Sequence, residues 1–132
     1  MDETASRGPS RWFTEGFVRA HPDRVQVFVG WAKQADPDSY AACCEALGGY
    51  DVRSRLASVA APVQVISATT DPITPPEVGA DLAARIPGSR YTVLDGAAHF
   101  AVVEAAHQIA PLIDSLIASH LVEGTELSGG AE

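Results

Sequence analysis

Asp71 and His99 are the two residues of this chain whose types and positions best suit acid–base chemistry. Each follows a short run rich in β-branched and aromatic residues. Val63-Gln64-Val65-Ile66-Ser67 precedes the first and Tyr91-Thr92-Val93-Leu94 the second. An imidazole held by a carboxylate has its tautomer and orientation fixed and its protonated form stabilised, which suits a general base. The same spacing also fits a plainer arrangement, in which Asp71 caps the helix opening at Pro75 and His99 is a turn residue.

The elements that would position this pair can be read from the same stretch. Between the two runs, Pro75-Pro76 open a helix with Val78, Leu82 and Ile86 at spacings of four, and Pro87-Gly88 close it. Strand, helix and strand in this order form a βαβ unit with parallel strands and a right-handed crossover. Both loops that follow the strands then leave from one edge of the sheet, where α/β folds place their chemistry. A last helix near Ala106 to Leu121 stacks Ile109, Ile113 and Leu116 or Ile117, with Pro111 in its opening turns.

Upstream of residue 60 the pattern is of small helices without a strand. Asp23 is read as the cap of a helix holding Val25, Phe28, Val29 and Ala32. Asp36-Pro37-Asp38-Ser39 restarts the helical period, carried by Tyr40, Cys43, Cys44 and Leu47 up to Gly48-Gly49. Val52, Leu56 and Val59 suggest one more short helix. The chain thus divides into a disordered lead-in (1–9), a helical segment (10–60), a βαβα part (61–121) and a flexible tail (122–132). Two parallel strands need cover on both faces and neighbours at both edges. The fold class is therefore α/β, as a portion of a larger fold with its sheet incomplete.

Composition excludes several partners. Nine Lys and Arg against seventeen Asp and Glu give a net charge of −8, which disfavours nucleic acid and anionic membrane surfaces. No uncharged apolar stretch is long enough for a membrane span, and the acidic Met1-Asp2-Glu3-Thr4 start is unlike a signal peptide. The adjacent Cys43 and Cys44 are read as reduced thiols packed on an apolar helix face, and the location as cytoplasmic. They have no C-x-x-C partner, and His21, His99, His107 and His120 do not fall at ligand spacing, so no metal or cofactor is expected.

The run from Val63 to His99 resembles the C-terminal part of an α/β-hydrolase. Asp71-Pro72-Ile73-Thr74-Pro75-Pro76 is similar to its acid loop and Leu94-Asp95-Gly96-Ala97-Ala98-His99 to its histidine loop. Ser10-Arg11-Trp12-Phe13-Thr14 and Tyr40-Ala41-Ala42-Cys43-Cys44-Glu45-Ala46 are similar to cap segments of 3-oxoadipate enol-lactonases. Those enzymes hydrolyse a lactone in bacterial breakdown of protocatechuate and catechol, the β-ketoadipate route of aromatic catabolism. The resemblance covers Ser10 to Leu121 but only the C-terminal half of the family's length.

That resemblance implies a Ser-His-Asp hydrolase in which Asp71 orients His99 and His99 serves as the base. It also implies roles for Arg11 as a fork for the substrate carboxylate and for Trp12 as a shield over the lactone ring. The plainer reading makes them a surface Arg and a core Trp. No serine of the chain has a Gly two before and two after it, so the G-x-S-x-G nucleophile of the family is absent from this sequence. The expectation is a carboxylic-ester or lactone hydrolase present as a half that, alone, hydrolyses almost nothing. Its substrate would be a small lactone or ester. The alternative is a non-catalytic remnant or interaction module that dimerises or pairs with a separate N-terminal half.

Overall fold

The computed structural model describes residues 1–126. Two strands, β1 (Gln64–Ala68) and β2 (Arg90–Leu94), pair in parallel from Gln64 opposite Arg90 to Ala68 opposite Leu94. The crossover between them is a helix of ten residues, Pro76–Arg85, opened by Pro at its first position. Around this unit the chain runs, in order, α1 (Asp2–Arg7), α2 (Pro9–Trp12), α3 (Glu15–Ala20), α4 (Pro22–Gln34), α5 (Pro37–Gly48) and a 3₁₀ turn at Arg53–Ser58. The crossover helix is α6, and α7 (Ala101–Glu104) and α8 (Ala106–Glu126) follow β2. Among the described residues no helix is long and apolar enough to cross a membrane.

Two small cores divide the labour. Ala68, Leu94, Ala97, Ala105 and Ile109 pack the strand ends against the start of α8, joined by Ile66 and Leu112. Phe13, Phe17 and Val25 form the second, with Trp12, Phe28, Phe100 and Val103 against it. Phe100 follows His99 directly, so the second core docks the helical segment onto the histidine loop. Burying an aromatic side chain of this size contributes roughly 1.5–3 kcal/mol, which makes this cluster the main apolar link between the two parts.

The ladder continues past the strands. Thr69 N–H donates to Leu94 O at 2.9 Å and Thr70 N–H to Ala97 O at 3.2 Å. Gly96, at φ +71°, turns its N–H onto the Thr69 hydroxyl at 3.2 Å. A positive φ of this kind is where glycine carries no Cβ penalty. These bonds hold the loop after β1 against the loop after β2.

Several expectations are corrected. Residues 1–9, read as a disordered lead-in, hold the helix α1, with Ala5 fully buried and α1 packed on α4. A single buried alanine gives no apolar period, so the polar sequence concealed it. Asp23 does not cap α4; His21 stands at that position, and Asp23 lies in the first turn, where a carboxylate suits the helix dipole. Asp36 does cap α5, accepting from Ser39 N–H at 2.9 Å. Cys43 and Cys44, read as packed, are exposed, as is every residue of α5. The helical period identifies an apolar face but not what covers it. The tail read from residue 122 is helical as far as Glu126, and 127–132 lie outside the described residues. Pro111 lies in the second turn of α8, within its opening turns as expected.

The sheet is as incomplete as the sequence implied. Among the described residues β1 pairs only with β2, leaving its other edge free.

Candidate active site

Asp71 lies three residues past β1 and His99 five past β2, and the paired loops bring their side chains together. His99 Nδ1 stands 3.0 Å from Oδ2 and 3.2 Å from Oδ1 of Asp71. A carboxylate only accepts, so the ring nitrogen facing it carries the hydrogen, and Nε2 on the far side of the ring keeps a free lone pair. Asp71 is nearly buried, with its side chain 7% exposed, while that of His99 is 28% exposed. The acid is enclosed and the imidazole reaches solvent.

Asp71 does not cap α6, whose N-cap is Pro75 with no side-chain bond. Its carboxylate instead accepts from Ile73 N–H at 2.8 Å, Thr74 N–H at 3.0 Å and the Thr74 hydroxyl at 2.7 Å. Burial pushes this carboxyl upward, but the bonds from Thr74, His99 and Ile73 together outweigh it and hold it at about 2. The acid is therefore ionised at neutral pH. That charge is what holds the imidazole hydrogen toward it.

His99 borders an open cleft of about 690 Å³ that also takes in Ile73, Phe100, Arg11, Trp12, Tyr40 and Leu47. Arg11 is exposed and, among the described residues, makes no ion pair, whereas Arg7 on the same cleft is held by Glu3 at 2.9 Å. Trp12 is half-buried and stacks on Phe100, with ring centroids 5.5 Å apart and planes 13° apart. Phe100 in turn stacks on His99 at 5.7 Å and 26°. Trp12 is thus both part of the aromatic core and part of the cleft wall. A second cleft of about 530 Å³, between Ser10, Phe13, Thr14, Thr70 and Ala98, reaches neither Asp71 nor His99.

Sequence reasoning missed three contributors. Thr74 was seen only as part of a loop, although it supplies two of the donors on Asp71. Phe100 stacks on both Trp12 and His99, a contact that no local spacing reports. Glu104 stands in an otherwise apolar run, and its carboxylate accepts from Thr14 and Ala98. An acid placed five residues after a candidate base, inside an apolar run, is the signal that was available.

A buried acid and a partly exposed imidazole, at the ends of adjacent parallel strands and below a helical segment, match the arrangement of the α/β-hydrolase fold. The alpha/beta hydrolase fold family matches residues 3–106, and this chain belongs to it. The chain is 38% identical over 100 residues to 3-oxoadipate enol-lactonase 2 of Acinetobacter baylyi, covering 76% of this chain and 37% of that protein. It is 26% identical over 110 residues to 3-oxoadipate enol-lactonase 1 of the same organism, covering 83% and 41%. The crystal structure of the enol-lactonase from Burkholderia xenovorans superposes with a TM-score of 0.85 at 29% identity, covering 89% of this chain and 45% of that one. The chain therefore spans less than half the length of these relatives.

Proposed function

We propose that this chain carries the acid and the base of a lactone or carboxylic-ester hydrolase of the 3-oxoadipate enol-lactonase type. The nucleophilic serine and the oxyanion donors would come from outside these 132 residues. The contact of His99 Nδ1 with Asp71 at 3.0 Å carries the reading, because it leaves Nε2 as the free base. The likeness to enol-lactonases supports the lactone as substrate.

In the first step His99 Nε2 takes the proton of the serine as its oxygen bonds to the lactone carbonyl carbon. The ring C–O bond breaks, and the departing oxygen receives that proton from the imidazolium. A water then gives its proton to Nε2 and attacks the acyl-enzyme, and the serine leaves with the proton returned. Asp71 holds the ring in the required tautomer and stabilises its charged form throughout. Arg11 would pair with the free carboxylate of the substrate, and Trp12 would cover the ring in the same cleft.

The free outer edge of β1 favours a second reading, an interaction module that completes its sheet with another copy of itself. One experiment separates the two. The chain is mixed with a separately produced polypeptide bearing a G-x-S-x-G elbow and its oxyanion loop, and enol-lactone hydrolysis is followed. The hydrolase reading expects turnover only in the mixture, abolished by His99→Ala. Turnover by the chain alone that survives His99→Ala, or none in a mixture that forms a complex, overturns it. A stable dimer that excludes the added polypeptide supports the module.

A further inference from the structure

We propose that Glu104 is a positioning residue for His99, locking the loop that bears the imidazole to the segment that opens the helical cap. The proposal rests on the reading of His99 as the base. The Glu104 carboxylate reaches Thr14, ninety residues away in sequence, and also the loop just before His99. Oε1 accepts from Thr14 N–H at 3.2 Å and from the Thr14 hydroxyl, while Oε2 accepts from Ala98 N–H at 3.0 Å. On the other side of the histidine, Phe100 N–H donates to Trp12 O at 2.8 Å.

The residues before and after His99 are therefore both held by the Trp12–Thr14 stretch, one directly and one through Glu104. With the Ala98 and Phe100 N–H groups committed, the peptide plane entering Ala98 and the one leaving His99 have set directions. The backbone that carries His99 is thus pinned on both sides, and its two side-chain torsions are the main freedom left. Asp71 and the Phe100 ring restrict those two. Ala98 is 3% exposed, so its N–H has no access to water as a substitute partner. Without Glu104 that donor would have to turn to find an acceptor, and the neighbouring imidazole would turn with it. Thr14 serves both ends of the device, because its hydroxyl also accepts from Phe17 N–H at 3.2 Å as the cap of α3.

The test is the tautomer of His99, read from its imidazole nitrogens by proton–nitrogen NMR of the full chain at alkaline pH, where the ring is neutral. Wild type is expected to show the Nδ1–H form. Glu104→Ala is expected to lose most of that signal in favour of a mixture. Glu104→Gln offers one acceptor in place of two and is expected to fall between them. Ile109→Ala, which weakens the other core, should lower the melting temperature and leave the tautomer unchanged.

A folded Glu104→Ala that keeps the Nδ1–H form overturns the proposal, as does an equal loss in Ile109→Ala. Should Glu104→Ala not fold, Glu104→Gln decides, with partial loss supporting and an unchanged ring refuting. No nucleophile or substrate enters the measurement, so failure to reconstitute a hydrolase leaves this result standing. Absence of the Nδ1–H form in wild type overturns both readings.

Discussion

The Thr74 hydroxyl donates to Oδ2 of Asp71 at 2.7 Å and stands 3.5 Å from Nδ1 of His99. Hydroxyl and imidazole N–H are both donors here, so they converge on one acceptor and hold it between them. Thr74→Val removes the largest single influence lowering the Asp71 carboxyl. Its titration, followed by carbon NMR of the carboxyl, should move up from about 2 toward the ordinary range. The folded state should lose about 1 kcal/mol. An unmoved Asp71 would show that the backbone donors alone suffice.

Acid should expose the same charge. The Asp71 carboxyl sits at about 2 against an ordinary value of 3.8, so the unfolded chain binds its proton at higher pH than the folded one. The stabilisation is complete above the unfolded value and is lost as pH falls through 3.8 toward 2. It amounts to about 2 kcal/mol. Urea unfolding at pH 6 and at pH 2 should show the wild-type advantage over Asp71→Asn shrinking by that amount. An equal gap at both pH values would count against a depressed Asp71.

Gly79 lets α6 lie on the sheet. A Cβ there would fall inside contact distance of the Ser67 hydroxyl and 3.1 Å from the Tyr91 ring. Gly79→Ala should therefore destabilise by about 1–3 kcal/mol despite the better helix propensity of alanine. In a Ser67→Ala background the main obstacle is gone, and the same change should be close to neutral. Thermal melts of the four proteins measure the coupling, and additive effects would exclude a direct clash.

Gly8 does the same for the indole of Trp12. Its backbone is ordinary helix, at φ −56° and ψ −55°, but a Cβ would overlap the Trp12 ring. Gly8→Ala should displace the indole from Phe100 and red-shift its fluorescence. The spectrum is best read in a Trp31→Phe background, because Trp31 is 62% exposed. An unshifted spectrum would mean that the stack survives by moving α1 instead.

Much of the acid–histidine unit was legible in the sequence because its signals are local. Val63–Ser67 and Tyr91–Leu94 were placed within a residue of β1 and β2, and the Pro75-Pro76 pair marked the start of α6. Parallel pairing puts Asp71 and His99 at one sheet edge, but a helix-capping Asp71 fits the same spacing, and only the structure shows the 3.0 Å contact between them. What escaped depends on distant partners. Glu104 acts on Thr14 across ninety positions, and no spacing rule reports such a contact. Cys43 and Cys44 show the reverse limit: their helical period is sound, but period says nothing of whether a neighbour exists.

The pairing of β1 with β2 has a consequence for how the site comes into being. The strands are joined by one short helix, so closing this loop takes little chain and little entropy. Asp71 and His99 can find each other before any remote segment has arrived. The acid and the imidazole thus lie on one local stretch of chain, and the Trp12–Thr14 anchor is what a remote segment adds to it.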